Sequence, residues 1–191
     1  MIGAVVLAAG RGERFGGDKV LAPLHGVPLV RNVVDRLMTA GLSPLVIVGG
    51  ASADGVRAAV AGTPAEVVVN PNPADGISAS LRIGIEALPA ECDAFVVALG
   101  DQPLLDVDVL RRLGETWRDS NAAAVVPVYR DGRGNPVLFD VTMRRHLRRL
   151  AGDTGARELL EAFGDRVVRV QVDADAPRDV DSPEDLRAIE G

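Results

Sequence analysis

Short apolar runs alternate with helical patterns along the first part of the chain. The apolar runs predict strands at residues 4–8, 45–48, 66–69 and 95–99. Helical spacing of apolar residues predicts helices at 29–37, 56–60, 78–88 and 106–119. This rhythm indicates right-handed βαβ units and a mostly parallel sheet. Strands this apolar are covered on both faces, so we expect an α/β fold in three layers.

The second part of the chain follows a different pattern. Residues 123–129 and 135–139 flank Arg130-Asp-Gly-Arg-Gly134, which predicts a small β-hairpin insertion in a mixed sheet. Short helices are predicted near 142–150 and 155–162, a strand at 167–172, and a last helix with Ser182 as its N-cap and Pro183 in its first turn. Since no repeat, low-complexity segment or linker interrupts the chain, we expect one domain over residues 1–191.

Composition excludes several classes of function. The net charge is −6 and aromatic residues make up only 3%, whereas nucleic-acid binders favour basic surfaces and stacking aromatics. The single cysteine, Cys92, excludes an internal disulfide and a cysteine-based zinc site. No run of 18 apolar residues or signal-peptide pattern is present, so we expect no membrane span and a cytoplasmic location.

The loop after the first strand carries the strongest chemical signal. It reads Leu7-Ala-Ala-Gly-Arg-Gly-Glu-Arg-Phe-Gly-Gly-Asp-Lys19 and places three cationic side chains, Arg11, Arg14 and Lys19, among four glycines. Glycines let backbone amides approach an anion, and Arg and Lys bind phosphate oxygens. The loop lacks the ending of a P-loop and the glycine spacing of a dinucleotide-binding turn. It therefore predicts a phosphate site of another type, and the alternative is a flexible surface loop.

A second signal follows the fourth predicted strand, where the chain reads Gly100-Asp101-Gln102-Pro103. Ligands of parallel sheets bind at the carboxyl ends of the strands, so Asp101 should face the phosphate loop. A carboxylate in that position can hold Mg²⁺. The same four residues are also typical of an ordinary turn, and their position favours the metal site.

These segments together resemble a known family. The first loop, followed by Pro23-Leu-His-Gly-Val-Pro-Leu29, is similar to the signature of the MobA-like nucleotidyltransferases, and Gly-Asp-Gln-Pro is similar to their metal motif. Within that superfamily the chain most resembles the molybdenum cofactor cytidylyltransferase branch. The segments that carry this likeness are Asn72-Pro-Ala-Asp-Gly-Ile-Ser-Ala-Ser-Leu-Arg82, Arg133-Gly-Asn-Pro-Val-Leu-Phe139, Gly152-Asp-Thr-Gly-Ala-Arg157 and Asp179-Val-Asp-Ser-Pro-Glu-Asp-Leu186. The resemblance implies a three-layer, Rossmann-like nucleotidyltransferase fold.

The resemblance also implies roles for the matching residues. Arg14, Lys19 and Asp101 would be catalytic, and Asp101 with Asp181 would bind Mg²⁺, the implied cofactor. The residues implied to bind the nucleotide are Leu7, Ala8, Ala9, Gly10, Arg11, Gly12, Lys19, Asp75, Gly76, Ser78 and Ser80.

A further set of residues would face the second substrate. The implied acceptor-binding residues are Arg133, Asn135, Pro136, Gly152, Asp153 and Gly155. Asn135 departs from the family pattern, where His is common between this Gly and Pro, so hydrogen bonding is kept but a protonatable group is lost. From the residues alone, Asp153 and Asp181 are equally typical of helix-capping turns.

The implied reaction transfers CMP from CTP to a phosphorylated acceptor such as molybdopterin and releases pyrophosphate. A molybdoenzyme that receives the product is a further implied partner, and no nucleic acid or membrane is expected. Three alternatives stay open: a GTP-using or other-acceptor transferase, an NAD(P)H- or flavin-dependent oxidoreductase, and a non-catalytic chaperone that delivers the cofactor. Residues 76–80 favour the cytidine branch. Lys19 and Asp101 disfavour the oxidoreductase, because hydride transfer needs neither a triphosphate site nor a metal.

Overall fold

The computed structural model describes residues 1–10, 12, 15–152 and 156–190, with the side chain of Arg133 also outside the described part. The strands, in chain order, are β1 (Ile2–Ala8), β2 (Pro23–Leu24), β3 (Val27–Pro28), β4 (Leu45–Gly49), β5 (Glu66–Val69), β6 (Ala94–Leu99), β7 (Ala124–Tyr129), β8 (Gly132–Arg133), β9 (Val137–Asp140) and β10 (Val167–Gln171). The α-helices are α1 (Leu29–Thr39), α2 (Ala53–Ala59), α3 (Ile77–Ala87), α4 (Val107–Arg118), α5 (Arg144–Leu147), α6 (Arg157–Ala162) and α7 (Pro183–Glu190).

The central sheet has the order β10-β7-β9-β6-β1-β4-β5, and β8 pairs with β7 beside this path. β1 pairs in parallel with both β4 and β6, β4 with β5, and β7 with β10. β9 is antiparallel to both of its neighbours. The predicted α/β fold with a mostly parallel, mixed sheet is therefore confirmed.

The strands predicted as a hairpin do pair, with Ala124 opposite Phe139 and Val125 opposite Leu138. They are part of the central sheet and do not form a separate insertion, since β9 lies between β7 and β6. The tip of the hairpin turns back as β8, which pairs with the end of β7. This short strand brings the 130–135 loop over the sheet edge where the parallel strands end.

Helices cover the two faces of the sheet and bury a core on each side. Apolar side chains of α1, α2 and α4 pack with one face, and those of α3, α5 and α6 pack with the other. Residues of β1 alternate between these cores, as Val5 belongs to the second and Val6 to the first. Cys92 is buried in the second core, and burial raises the pKa of its thiol. None of the described helices is long and apolar enough to span a bilayer.

Local sequence signals account for the end of α1 and the starts of α4 and α7. The helix predicted to stop at Gly41 ends at Thr39, and Gly41 has the positive φ of 83° that favours glycine after a helix. Asp106 caps α4 by accepting from the backbone N–H of Asp108 at 2.8 Å. Ser182 caps α7 as predicted, because its Oγ accepts from the Asp185 N–H at 3.2 Å.

Two helices differ from the sequence expectation. α2 begins at Ala53, before the predicted residues 56–60. The predicted helix at 142–150 is a 3₁₀ turn, Val141–Met143, followed by the single turn of α5. Asp140 starts this shorter arrangement by accepting from the Thr142 N–H at 2.9 Å.

A close approach fixes α3 on the sheet at Gly84. A Cβ atom at this position would come nearer to Val5 Cγ1 than real contacts allow, and would lie 2.9 Å from Val48 Cγ2. Both neighbours are β-branched side chains on buried strands, which have little freedom to move away. A glycine is therefore required where α3 crosses β1 and β4.

We predict that Gly84→Ala lowers the free energy of unfolding by about 1–3 kcal/mol, because the added methyl overpacks this contact. Gly114→Ala in α4 is the matched control. Its Cβ would meet only flexible side-chain ends, with Ile2 Cδ1 nearest at 3.2 Å, and alanine is the better helix former by about 1 kcal/mol. Urea denaturation of both variants measures the difference, and equal stabilities would contradict this description of the packing.

Candidate functional site

The carboxyl ends of the parallel strands open onto neighbouring cavities. Two of them meet at the backbone of residues 8–10, directly after β1. The segments after β4, β5 and β6 complete their walls. This is the edge where ligands bind in open α/β sheets.

Gly12 forms a tight turn in the loop after β1. Its φ is 59°, and a Cβ there would collide with the carbonyl oxygen of Gly17, so only glycine fits. The Gly12 carbonyl accepts from the N–H groups of Phe15, Gly16 and Gly17 at 2.9, 3.0 and 3.3 Å. These three amides are therefore bonded within the loop, and the loop backbone that lines the cavities is that of residues 8–10.

Lys19 lies between two carboxylates. Its Nζ is 2.5 Å from Asp101 Oδ2 and 2.7 Å from Asp181 Oδ1. Lys19 begins a 3₁₀ turn after the loop, Asp101 follows β6, and Asp181 precedes α7. The fold thus brings together three predicted site residues from distant parts of the sequence.

The electrostatics of this cluster keep the lysine charged. The side chains of Lys19 and Asp101 are only 13% and 17% exposed, so both charges lose much of their hydration. Burial lowers the pKa of Lys19, but hydrogen bonds to Asp101 and Asp181 and the negative charges of both outweigh it. The net result is a pKa raised above 10.5, and an ammonium group at neutral pH.

Gln102 and Asp179 lie beside this cluster, and sequence reasoning missed both as site residues. Gln102 is 5% exposed, and its Nε2 donates to Asp179 Oδ1 at 2.8 Å and to the Pro177 carbonyl at 3.3 Å. Burial, followed by the charge of Asp101, raises the pKa of Asp179, and the hydrogen bond from Gln102 opposes this rise. Both residues stand inside segments noted for their family likeness, but only the fold shows that they meet.

The cavity beside Lys19, here called the lysine cavity, has a volume of about 300 Å³. Its lining residues are Leu7, Ala8, Ala9, Gly10, Lys19, Val20, Pro73, Gly76, Ile77, Ser80, Leu99 and Asp101. Most of the residues predicted to bind a nucleotide are in this lining. Three others are not in this lining: Gly12 forms the turn described above, Asp75 is exposed in a 3₁₀ turn, and Ser78 is buried in the first turn of α3. Arg11 and Arg14 lie outside the described residues.

A neighbouring cavity of about 380 Å³ shares the backbone of residues 8–10 and is here called the serine cavity. Ser52, Asp18 and Asn70 supply its polar side chains, and the Ser52 hydroxyl donates to the Asp18 carboxylate. Asn70 is buried, donates through Nδ2 to Ser80 Oγ at 2.9 Å, and accepts at Oδ1 from the Asn72 N–H at 2.9 Å. Asn70 is not among the predicted site residues, and its place in the wall becomes apparent only from the fold.

A third cavity of about 500 Å³, here called the apolar cavity, adjoins the lysine cavity at Leu7, Ile77 and Leu99. Its walls are mostly aliphatic. Polar or charged residues in its lining are Asp131, Asn135 and Arg157.

Of the predicted acceptor-binding residues, Asn135 lines the apolar cavity and Pro136 is buried beside it. The Tyr129 hydroxyl donates to the Asn135 carbonyl at 3.0 Å, and burial raises the pKa of Tyr129 to about 12, so this donor stays protonated. The Gly152 carbonyl accepts from the Ser78 N–H at 3.2 Å, which ties this loop to α3. Asp153, Gly155 and the Arg133 side chain lie outside the described residues.

The carboxylates of Asp101 and Asp181 suit a hard cation. Both already contact the same positive group, and Mg²⁺ is commonly held by one or two carboxylates together with substrate phosphates and water. Within the described ranges, no group of three or more His, Cys, Asp or Glu side chains is placed to hold a metal ion. A cation at this point would therefore need phosphate or water as additional ligands. The residues therefore fit a cation that binds together with phosphate.

Two named proteins are similar in sequence to this chain. Nicotine blue oxidoreductase of Paenarthrobacter nicotinovorans is 34% identical over 163 residues, which cover 82% of this chain and 79% of that protein. A probable molybdenum cofactor guanylyltransferase of Thermococcus gammatolerans is 36% identical over 140 residues, which cover 72% of this chain and 67% of that protein.

Solved structures show the same fold. Rv0371c from Mycobacterium tuberculosis superposes with a TM-score of 0.88 at 34% identity, covering 99% of this chain and 97% of that one. The same protein in complex with manganese gives a TM-score of 0.85 at 33% identity, covering 98% and 97%. A family model, the MobA-like NTP transferase domain, matches residues 4–169. The chain therefore belongs to the MobA-like NTP transferase family.

Proposed function

We propose that this chain transfers a nucleoside monophosphate from a nucleoside triphosphate to a phosphorylated acceptor and releases pyrophosphate. The observation that carries the proposal is the position of Lys19. Its ammonium group contacts Asp101 and Asp181 at the lysine cavity, beside the wall shared with the apolar cavity. One charged cluster thus lies where two substrates can meet.

In this proposal the nucleotide occupies the lysine and serine cavities. The triphosphate lies near Lys19, and the base extends past residues 8–10 toward Ser52. Glycine at position 10 leaves the backbone open to close approach, since a Cβ there would meet nothing within 4 Å among the described residues. The acceptor occupies the apolar cavity, and its phosphate reaches the nucleotide past Leu7, Ile77 and Leu99.

An oxygen of the acceptor phosphate attacks the α-phosphorus in line with the leaving group. A new P–O bond forms, and the bond between the α-phosphorus and the bridging oxygen to the β-phosphate breaks, so that pyrophosphate leaves. The nucleophile is already anionic, so no general base is needed and catalysis rests on positioning and charge neutralisation. Lys19, whose pKa is raised, supplies a permanent positive charge. Asp101 and Asp181 would hold Mg²⁺, which would supply positive charge to neutralise the phosphates.

For the nucleotide we propose CTP, and for the acceptor a molybdopterin-like compound. The support for CTP is the likeness of residues 76–80 to the cytidylyltransferase branch, since none of them lines the serine cavity. The aliphatic walls of the apolar cavity support an acceptor with a large apolar or flat heterocyclic part. GTP is the second candidate, because the Thermococcus gammatolerans relative is named a guanylyltransferase.

An oxidoreductase is the candidate from another class, and the name of the Paenarthrobacter nicotinovorans relative favours it. The cluster of Lys19, Asp101 and Asp181 argues against hydride transfer, which requires neither a triphosphate site nor a metal site. A non-catalytic delivery chaperone would likewise have no need for the charged cluster of Lys19, Asp101 and Asp181.

We predict that Lys19→Ala and Asp101→Ala each lower kcat for pyrophosphate release on the order of 10²–10³-fold, because each removes a charge that acts on the reacting phosphates. The melting temperature serves as a folding check. Arg57→Ala is the control, since within the described part of the chain it removes only the exposed ion pair with Asp54, and it should keep normal turnover. Normal turnover in Lys19→Ala would contradict the mechanism.

We predict that kcat/KM for CTP exceeds that for GTP by about tenfold or more, the discrimination that a shaped base pocket typically provides. Pyrophosphate release is measured with each nucleotide, Mg²⁺ and molybdopterin. A higher kcat/KM for GTP than for CTP would contradict the proposal of CTP and identify GTP as the nucleotide substrate. Consumption of NADPH without pyrophosphate release would favour the oxidoreductase.

A further inference from the structure

The segment 177–181 is fastened to the turn that carries Asp101. Gln102 Nε2 donates to Asp179 Oδ1 at 2.8 Å and to the Pro177 carbonyl at 3.3 Å. The Val180 N–H donates to the Asp101 carbonyl at 3.0 Å. Asp181 follows directly, so these bonds lie immediately before its contact with Lys19.

Regular secondary structure does not hold this segment, because residues 175–181 are neither helix nor strand. The contacts that hold it include the two bonds of Gln102 and the backbone bond of Val180. The fully buried Val180 side chain packs with Leu24 and Leu29, and the Asp181 N–H donates to Asp185 Oδ2 at 3.1 Å. The geometry between the carboxylates of Asp101 and Asp181 therefore depends on these few contacts.

Gln102 is an unusual residue to bury at this point. Its Oε1 is buried with no hydrogen-bond partner among the described residues, and an unpaired buried amide oxygen costs stability. An aliphatic side chain would fill the space without this penalty. A role in holding Asp179 explains the presence of the amide, since its Nε2 group donates to a residue 77 positions away in sequence.

We infer that Gln102 and Asp179 are positioning residues for the cation site, a step that rests on the proposed nucleotidyl transfer for its kinetic consequences. Their hydrogen bond holds Asp181 near Asp101, so that the two carboxylates reach one positive group, as both now reach the Lys19 ammonium. Among the described residues, neither side chain forms a hydrogen bond or ion pair with Lys19, although the charge of Asp179 interacts with those of Lys19, Asp101 and Asp181. Comparing Asp179→Ala with Asp179→Asn separates the positioning role from this direct effect of charge. Displacement of a reacting or ligating group by about 1 Å can reduce rates by about 10²-fold. Loss of the Gln102–Asp179 hydrogen bond is therefore sufficient to lower activity if it displaces Asp181 by that distance.

The test compares Asp179→Ala, which removes the acceptor of the Gln102 bond, with Asp179→Asn, which keeps an oxygen in that place. Asp173→Ala is the matched control, because Asp173 lies in the same part of the chain and its carboxylate forms an exposed ion pair with Arg130 at 3.4 Å. Mn²⁺ binding is measured by the electron paramagnetic resonance signal of the free ion, with and without CTP. Steady-state kinetics and melting temperatures are recorded on the same samples.

We expect Asp179→Ala to weaken Mn²⁺ binding about tenfold and to lower kcat by a similar factor, with KM for CTP little changed, as for other residues that orient metal ligands. Asp179→Asn should restore most of both losses, and Asp173→Ala should match the wild-type chain. A role in stability alone would shift the melting temperature without moving Mn²⁺ affinity or kcat. If Asp179→Ala does not fold, Gln102→Leu replaces it in the same comparison.

Several results would overturn the inference. They are wild-type Mn²⁺ affinity and kcat in Asp179→Ala, equal losses in Asp179→Ala and Asp179→Asn, or no Mn²⁺ binding by the wild-type chain with CTP present. Failure of the proposed function is distinct from these. If the wild-type chain releases no pyrophosphate but Asp179→Ala weakens its Mn²⁺ binding, the positioning role stands and the nucleotidyl transfer does not.

Discussion

The double ion pair of Lys19 is the interaction on which the rest of the site depends. It joins the loop after β1, the turn after β6 and the segment before α7 at one point. The parallel pairing of β1 and β6 brings the first two of these segments close together, because Leu7 and Leu99 lie opposite each other near the ends of the two strands. The loops that leave the two strands therefore begin at the same level, and a long side chain from one can reach a carboxylate on the other.

The same ion pair explains how one lysine can serve an anionic substrate. Removing a lysine and an aspartate from water is unfavourable, and the contacts with two carboxylates compensate for it. In the proposed reaction, phosphate oxygens would offset part of the charge of Lys19, and Asp101 and Asp181 would hold a divalent cation. The charges of Lys19, Asp101 and Asp181 would then be balanced by the substrate and the cation instead of by each other, so that no charged group is left buried and unpaired.

Most of the fold could be predicted from local sequence patterns. The strands around Val5, Ile47 and Val97 are apolar runs, and the helix before Gly41 shows a clear period, so each signal lies within a few residues. The break between residues 141–143 and α5 was missed because Asp140 caps a 3₁₀ turn there, and a capping oxygen does not alter the apolar pattern.

The candidate site was predictable only where a motif is continuous in sequence. Lys19 and Asp101 stand in such motifs, and Asp181 was inferred from a resemblance. The partners Gln102–Asp179 and Asn70–Ser80 are set by the packing of separate elements, so no local pattern reveals them. The choice of base is equally hidden, because residues 8–10 and 50–51 shape the serine cavity with backbone and small side chains.

The most direct test of nucleotidyl transfer follows the phosphorus atoms of the triphosphate. The wild-type chain is incubated with Mg²⁺, molybdopterin and CTP labelled with ³²P at either the α- or the γ-position, and a parallel set of samples contains GTP labelled in the same way. We predict that the α-label appears in the acceptor product and the γ-label in pyrophosphate. Transfer of the γ-label to the acceptor, or retention of both labels in unchanged nucleotide from CTP and GTP alike, would contradict the account.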